Sequence, residues 1–422
     1  MRVGVGALNA FRWKCPQFLL FYEGQLNRFR INNRLASRSP RMAHCPSSPV
    51  SAIRVRDPRR VLVIRLMHHG DVLLTTPLFS ALKRHLPGAE IDALVYAETV
   101  PIIAANPDLT RIWAMPRSKD AGTGWAHLRK LYSLLATIRQ YRYDWVLHLD
   151  DRWPGALAAW VSGATLRASY NLRKRDNAIW RRAFPRRVAA LNTGHVVERN
   201  LGFLQELGIP VDAQDRQCLM AYSDDDRALA HRALAGAGID GQYILVHPAA
   251  RWFFKCWEDE RFAQVLLALA NDGHQIVLTS APNPRELALV SSILELARHP
   301  RIVSIAGKLT LPALAAAIAD ARLFIGVDSA PMHMAAALGV PMLALFGPTD
   351  VEAWRPWSDT AVVIHAADYG PLIEPRDVDT DTDARYLGNI PVAPVLAAAR
   401  RQLALHPRSN EVRAGPPQAA EL

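Results

Sequence analysis

The residues best suited to chemistry follow a predicted strand within the stretch 322–357. The apolar run 323–327 is typical of a strand buried in a parallel sheet. Asp328 and Ser329 come directly after it, and a helix is predicted to begin next, with His333 in its first turn. Free N–H groups and the dipole at such a helix start favour an anion such as a pyrophosphate. Asp328 and His333 can therefore face one cleft, although the alternative that Asp328 and Ser329 only cap the helix remains open.

The elements that must position these residues are two series of alternating strands and helices. This alternation predicts parallel sheets with right-handed crossovers, and hence an α/β protein of two Rossmann-like domains facing a cleft. We place the first domain at 58–238 and the second at 239–405, because glycines punctuate the chain near the boundary. The last predicted helix, 390–405, could pack back on the first domain. Residues 1–57 are expected to be a largely disordered basic extension, and 406–422 a polar tail.

Positive charge is concentrated in two places. The chain carries a net charge of +11 over 422 residues, and residues 1–60 hold twelve Arg or Lys against two acids. The rest carries only +1, so nucleic-acid binding by the folded body has little support. The basic start is either an arm that touches anionic surfaces or a consequence of the assigned start, in which case translation begins at Met42. Residues 167–187 hold eight basic residues and one acid, which predicts a solvated loop or, alternatively, a contact with a phosphorylated or membrane-anchored substrate.

The sequence lacks the motifs of several common kinds of functional site. There is no G-x-G-x-x-G after either first strand, and no P-loop motif. The four cysteines form no C-x-x-C pair, which indicates reduced thiols in a cytosolic protein. No apolar run approaches the roughly 20 residues that a membrane span needs. A metal site built from His68, His69, Asp71 and His148 lacks a convincing ligand spacing, so no metal is predicted.

Four segments occur in a specific order along the chain. They are Arg65-x-x-x-x-Gly70-Asp71-x-x-x-x-x-Pro77, Lys255-Cys256-Trp257, Asp328-Ser329-Ala330-Pro331-Met332-His333 and Phe346-Gly347-Pro348-Thr349-Asp350. Together they resemble the bacterial ADP-heptose:lipopolysaccharide heptosyltransferases, glycosyltransferase family 9, over about residues 60–405. The pieces FKCW, LFIGVDSAPMH and WRPWS are most similar to the members that add the branching third heptose of the inner core. Some relatives have Gly where this chain has Ala330.

The resemblance implies a GT-B fold, with the acceptor bound by the N-terminal domain and ADP-heptose by the C-terminal domain. It implies an inverting, metal-independent transfer of L-glycero-D-manno-heptose to heptose II of the lipopolysaccharide inner core. No cofactor is expected, since ADP-heptose is a co-substrate. Three alternatives stay open: the heptosyltransferase I or II step, a GT-B transferase with another nucleotide sugar, and a non-catalytic protein that binds nucleotide or lipopolysaccharide.

Two residues are the predicted catalytic groups. Asp71 follows Gly70 after the first strand and is the candidate general base for the acceptor hydroxyl, with a helix N-cap as the alternative. Lys255 stands among aromatic residues and would stabilise the charge on the leaving ADP, with a surface lysine as the alternative.

The remaining predicted site residues divide between the two substrates. The donor side comprises Thr279, Ser280, Asp328, Ser329, Ala330, Pro331 and His333. The acceptor side comprises Arg65, His69, Asp151 and Arg152, and Arg152 or the basic loop 173–187 could pair with core phosphates. The expected partners are ADP-heptose and the lipid A–core acceptor, with no nucleic acid. The protein is expected in the cytoplasm, in peripheral contact with the cytoplasmic face of the inner membrane.

Overall fold

Two six-stranded parallel sheets form the framework of the protein. The computed structural model describes residues 57–117, 124–191 and 193–407. The predictions about the basic extension, the start at Met42 and nearly all of the polar tail lie outside these residues. Within them, the predicted α/β architecture of two Rossmann-like lobes is confirmed.

The first lobe is built on a sheet with strand order β3-β2-β1-β4-β5-β6. Its strands are β1 (Arg60–Arg65), β2 (Glu90–Tyr96), β3 (Arg111–Met115), β4 (Trp145–His148), β5 (Leu166–Tyr170) and β6 (Arg186–Val188). Its helices are α1 (His69–Leu73), α2 (Thr76–His85), α3 (Gly124–Gln140), α4 (Trp153–Ser162), α5 (Ala178–Ala183) and α6 (Val196–Glu206). The central strands are apolar on both faces because helices cover both faces of the sheet.

The second lobe repeats this plan with strand order β12-β11-β10-β7-β8-β9. Its strands are β7 (Tyr243–His247), β8 (Gln275–Leu278), β9 (Ile302–Ser304), β10 (Leu323–Val327), β11 (Met342–Phe346) and β12 (Ala361–His365). Its helices are α7 (Asp224–Ala235), α8 (Asp259–Asn271), α9 (Pro284–Leu296), α10 (Leu311–Asp320), α11 (Ala330–Ala337), α12 (Val351–Trp354) and α13 (Val392–Leu405).

Both sheets reverse their strand order at one point, which is where open α/β sheets bind ligands. The reversal lies between β1 and β4 in the first sheet and between β7 and β10 in the second. The segments that follow these four strands carry Asp71, Asp151, Lys255 and Asp328. The topology alone therefore brings the predicted chemistry to the switch points of the two lobes.

The helix predicted after β1 is broken in two. The apolar spacing predicted one helix from Val72 to His85, whereas α1 ends at Leu73 and α2 begins at Thr76. Pro77 lacks an N–H and sits in the first turn of α2, where it cannot continue the hydrogen bonding of α1. Because α1 begins at His69, Asp71 lies inside its first turn rather than at its N-cap.

The basic segment 167–187 is not the solvated loop predicted from its charge. It contains most of β5, helix α5 and the start of β6. Trp180 of α5 is buried against His148 at the end of β4, with ring centroids 5.5 Å apart. Arg167 is held in place because its Nε donates to the Ala183 carbonyl at 2.8 Å. The basic side chains therefore project from a folded element.

Two helices pack differently from the sequence prediction. Helix α7, predicted in the first domain, packs on α10 of the second lobe, and His231 on α7 lies 2.9 Å from the Asp320 carboxylate. The glycines at 236–241 thus mark the turn into β7, and the predicted boundary after 238 separates α7 from the lobe on which it packs. The last helix, α13, lies against α8, β10 and β11 of the second sheet rather than on the first lobe. Gln402 fixes it there by donating to the Thr360 carbonyl at 3.2 Å.

In the described part of the chain, none of the helices has both the length and the apolar character needed to cross a membrane.

Candidate active site

A cleft of about 680 Å³ lies between the two lobes. The first lobe contributes one short stretch, 67–71, which includes the N-terminal turn of α1. The second lobe contributes the loops after β7, β8, β10 and β11, with Lys255, Ser280, Asp328 and His333 among the lining residues. Asp71 therefore shares one cleft with the predicted donor-side residues.

Asp71 is held rigidly in the wall of the first lobe. Its side chain is 8% exposed and accepts from the Arg65 guanidinium at 3.2 Å and from the backbone N–H of His68 at 3.2 Å. Arg65 in turn donates to the Leu149 carbonyl at the end of β4. These hydrogen bonds fix the orientation of the side chain, and a carboxylate held in this way is suited to act as a general base.

Lys255 and Asp328 form a buried ion pair in the opposite wall. The ammonium Nζ lies 2.6 Å from the carboxylate, and the two side chains are 11% and 6% exposed. The indole of Trp252 lies 5.0 Å from the same ammonium, a cation–π contact. These contacts fix the position of the ammonium while leaving its other N–H groups available to a ligand.

The start of α11 and the loop after β11 carry buried polar atoms without a hydrogen-bond partner among the described residues. Ser329 Oγ, His333 Nδ1 and Thr349 Oγ1 are buried and make no hydrogen bond within the part of the chain that the structure describes. All three residues line the cleft. Buried polar atoms of this kind usually have a hydrogen-bond partner, so a polar ligand at the start of α11 would satisfy them.

Contacts made by Gly70 and by His68 join the lobes across the cleft. The backbone of Gly70 lies against the imidazole of His333, and burial lowers the pKa of His333 to about 4. The guanidinium of Arg251 donates to His68 Nδ1, and burial together with the Arg251 charge lowers the pKa of His68 to about 4. Both imidazoles are therefore neutral near pH 7.

The loop after β8 forms an end of the cleft suited to a nucleoside. Glu286 on α9 lines it, accepts from the Ala281 N–H at 3.0 Å, and has a pKa raised by burial. Leu309, Leu311 and Leu314 supply apolar surface beside it. A carboxylate next to an apolar surface can bind ribose hydroxyls while the base packs on the side chains.

Some predicted site residues do not line the cleft. Thr279 points into the protein, where its Oγ1 lies 3.0 Å from His247 Nδ1. Arg65 lies behind Asp71 and contacts it rather than the cleft. Asp151 is outside the lining residues and pairs with Lys174 at 2.5 Å. Arg152 is also outside them, with its side chain 48% exposed.

The other predicted residues do line the cleft. These are His69, Asp71, Lys255, Ser280, Asp328, Ser329, Ala330, Pro331 and His333. His69 is the one cleft-lining residue of the predicted acceptor set, and its Nε2 lies 2.9 Å from the Glu98 carbonyl oxygen.

One group of three possible metal ligands occurs in the described residues, and it lies outside the cleft. It consists of His85, Asp212 and Asp215. Arg84 contacts both carboxylates, at 3.3 Å in the case of Asp212. The guanidinium therefore already pairs with both carboxylates of this group.

Several residues that line the cleft were not assigned to it from the sequence, including Arg251, Trp252 and Glu286, and Thr349 was named only within a family segment. All four follow the carboxyl end of a strand in the second lobe. That position was the available signal, because such loops meet at one edge of a parallel sheet.

Comparisons with known proteins agree with this architecture. The family model described as glycosyltransferase family 9 (heptosyltransferase) matches residues 131–381. Lipopolysaccharide heptosyltransferase 3 of Escherichia coli is 38% identical over 335 residues, 79% of this chain and 96% of that protein.

Solved structures show the same fold. The glycosyl transferase family 9 structure from Veillonella parvula is 23% identical, covers 82% of this chain and 97% of its own, and has a TM-score of 0.71. The structure of E. coli heptosyltransferase WaaC with ADP is 20% identical in sequence and has a TM-score of 0.63. The similarity covers 81% of this chain and 99% of that chain. Two facing Rossmann-like lobes, the match to the family model and the identity to its members together establish that this chain belongs to glycosyltransferase family 9, the heptosyltransferases.

Proposed function

We propose that this glycosyltransferase moves L-glycero-D-manno-heptose from ADP-heptose to heptose II of the lipopolysaccharide inner core, as the branching third heptose. The relative named lipopolysaccharide heptosyltransferase 3 supports this step, because the similarity spans 96% of its length. The arrangement that carries the proposal is the opposition of Asp71, on the first lobe, to Lys255, Asp328 and His333 on the second.

The donor lies along the second lobe in this proposal. The diphosphate occupies the N-terminus of α11 beside Ser329, Ala330 and Pro331. The free backbone N–H groups of the non-proline residues and the Ser329 hydroxyl donate to it in this proposal. The adenosine extends toward Ser280 and Glu286. The heptose then lies near Asp328 and His333, and Asp328 accepts hydrogen bonds from its hydroxyls.

The chemistry is an inverting displacement. The Asp71 carboxylate removes the proton of the acceptor hydroxyl, and the oxygen attacks the anomeric carbon from the side opposite ADP. The bond between that carbon and the phosphate oxygen breaks, and both of its electrons leave with ADP. Lys255 and the start of α11 stabilise the growing negative charge without a metal, and Arg251 is a second cation within the cleft.

The acceptor approaches along the first lobe. His69 lies in the cleft wall, and Arg152 lies at the exposed edge formed by the loop after β4. Arg152 and the nearby Arg175 are suited to phosphates of the core, because guanidinium groups bind phosphate in a bidentate manner, and the ammonium of Lys174 adds a further positive charge. Asp151 orients both neighbouring cations in this proposal. The protein works in the cytoplasm in peripheral contact with the inner membrane, where a lipid-linked acceptor and a soluble donor meet.

Transfer to purified core lipopolysaccharide tests the proposal. The purified chain is incubated with ADP-heptose and lipopolysaccharide truncated after heptose II, and the product linkage is determined by mass spectrometry. We expect one added heptose on heptose II. Addition to a core without heptose II would indicate the heptosyltransferase I or II step instead, and transfer from another nucleotide sugar alone would contradict the donor assignment.

A further inference from the structure

Helix α4 has an apolar outer face that is exposed among the described residues. The helix has no charged residue, and its inner face, including Ala156 and Ala159, is buried on the first sheet. Its outer face carries Trp153, Leu157 and Trp160, which are 41%, 41% and 45% exposed. A helix that is apolar all round normally lies in a core or against a membrane.

Helix α3 continues the same surface. Trp125, Leu128 and Tyr132 are 84%, 54% and 76% exposed, and their spacing puts them on one side of the helix. The helices run side by side in the same direction, since Arg139 near the end of α3 donates to the Val161 carbonyl near the end of α4 at 3.2 Å.

We call the combined surface the aromatic face. It consists of Trp125, Leu128, Tyr132, Trp153, Leu157 and Trp160. Eleven large apolar side chains are exposed in the described residues, and six of them lie here, so the face is a cluster rather than a scatter of single residues.

The charge around the aromatic face is strongly positive. Residues 124–188 contain thirteen Arg or Lys and four Asp, a net of +9. The other residues from 61 to the end contain twenty-five basic and thirty-three acidic residues, a net of −8. The positive charge of the near-neutral body is therefore concentrated in the segment that carries the aromatic face. Arg129 and Lys130 are exposed beside the aromatic residues of α3, and Arg175 lies 5.5 Å from the ring of Trp153.

We propose that the aromatic face docks on the surface of an anionic phospholipid bilayer. Tryptophan and tyrosine rings favour the headgroup level, where an apolar body meets a polar edge, and the surrounding cations pair with lipid phosphates. This inference rests on the proposed function, which requires peripheral membrane contact, and it assigns the surface that makes that contact.

The aromatic face lies next to the edge of the cleft that is assigned to the acceptor. Trp153 follows directly after Asp151 and Arg152, at the carboxyl end of β4 where the sheet faces the cleft. A bilayer seated on the aromatic face therefore lies beside the edge assigned to the acceptor. A lipid-anchored core would reach Asp71 without leaving the membrane.

Sedimentation with vesicles tests the docking alone. The full chain is mixed with phosphatidylcholine vesicles with or without phosphatidylglycerol, in the absence of lipopolysaccharide and nucleotide sugar. We expect binding that needs the anionic lipid and weakens with salt. The triple variant Trp125→Ser, Tyr132→Ser, Trp160→Ser should lose at least about tenfold in affinity. The double variant Arg129→Gln, Lys130→Gln should lose roughly fivefold for each charge removed.

A control variant on the second lobe and a soluble acceptor separate membrane docking from catalysis. Leu296→Ser, Tyr369→Ser, Leu405→Ser removes exposed apolar groups from the second lobe and should bind vesicles as the unsubstituted chain does. Transfer to a delipidated core acceptor should be unchanged in all variants, so that loss of docking and loss of the proposed activity are distinguished.

Three outcomes would overturn the docking proposal. They are unchanged vesicle binding by the aromatic variant, equal binding to neutral vesicles, and self-association through this face without vesicle binding.

Discussion

Gly70 and His333 touch across the cleft. A Cβ built on Gly70 would lie 3.0 Å from Cδ2 and 3.5 Å from Nε2 of the His333 ring. The residue next to Asp71 is therefore in van der Waals contact with the helix that presents the donor-binding N-terminus. Through this contact a buried side chain of the second lobe packs directly beside the residue that precedes the candidate base.

Substituting Gly70 with alanine should lower activity without unfolding the protein. The added methyl group must displace the buried His333 ring by a few tenths of an ångström, which misaligns the two walls of the cleft. We expect kcat/KM to fall roughly tenfold, since small misplacements in an active site are costly. The matched control is Gly88→Ala, where a Cβ meets nothing within 4 Å. Equal kcat/KM for both variants would show that the Gly70 contact has no catalytic importance.

Lys255→Met should reduce kcat by about 10²–10³-fold, the usual effect of losing one donor to a developing anion. The substitution also leaves Asp328 buried without its partner, which lowers the free energy of unfolding. The double variant Lys255→Met, Asp328→Asn isolates the effect on stability, because it removes the unpaired charge. We expect the double variant to regain thermal stability but not activity. Unchanged kcat and KM in Lys255→Met would refute the assignment to the leaving group.

Activity should survive EDTA. The proposed stabilisation of the leaving ADP comes from Lys255 and the N-terminus of α11, so no divalent cation takes part. Initial rates measured with and without the chelator should agree. Loss of activity on adding EDTA, followed by recovery with Mg²⁺, would contradict the metal-independent mechanism.

Stability should fall with acid through the titration of buried histidines. Burial lowers the pKa of His195, His247 and His333 from 6.5 to about 4. The unfolded chain therefore binds more protons between pH 6.5 and pH 4, and the free energy of unfolding decreases as the pH drops through that window. At a pH above this window, the free energy of unfolding is higher by up to about 3 kcal/mol for each fully buried imidazole than at a pH below the window.

The melting temperature measured from pH 8 to pH 4.5 checks this expectation. It should be nearly constant above pH 6.5 and decline below. The variant His195→Asn keeps a capping side chain at the start of α6 and should show a shallower decline, while His406→Asn at the end of α13 should follow the unsubstituted chain. A melting temperature that is flat down to pH 5 would contradict the role of the buried imidazoles.

The fold could be predicted from sequence because its signals are local. Apolar runs of five residues, such as 323–327, specify strands buried in parallel sheets, and alternation with helices specifies the topology. The errors came from tertiary packing. The high charge of 167–187 predicted a loop, whereas the segment forms β5 and α5. Burial of Trp180 stabilises α5 although the arginines around it are exposed. Helix α7 was assigned to the wrong lobe, because the sequence before a Gly-rich turn does not show on which of the two lobes a helix packs.

The candidate site could be predicted in part. Residues that directly follow the switch-point strands, such as Asp71 and Asp328, line the cleft as expected. Thr279 also follows a strand, yet it points inward, because side chains alternate in direction along an extended segment and only one face meets the cleft. Arg65 supports Asp71 from behind, a relationship that spacing alone does not reveal.

The most direct test of the account is turnover by Asp71→Asn. The amide keeps the size of the side chain but cannot remove a proton from the acceptor, whereas the donor wall of the second lobe is untouched. Transfer of heptose is measured together with the affinity for ADP-heptose and the melting temperature. We expect kcat to fall by roughly 10²–10⁴-fold while donor affinity and folding are retained. Near-normal turnover by the folded variant would contradict it.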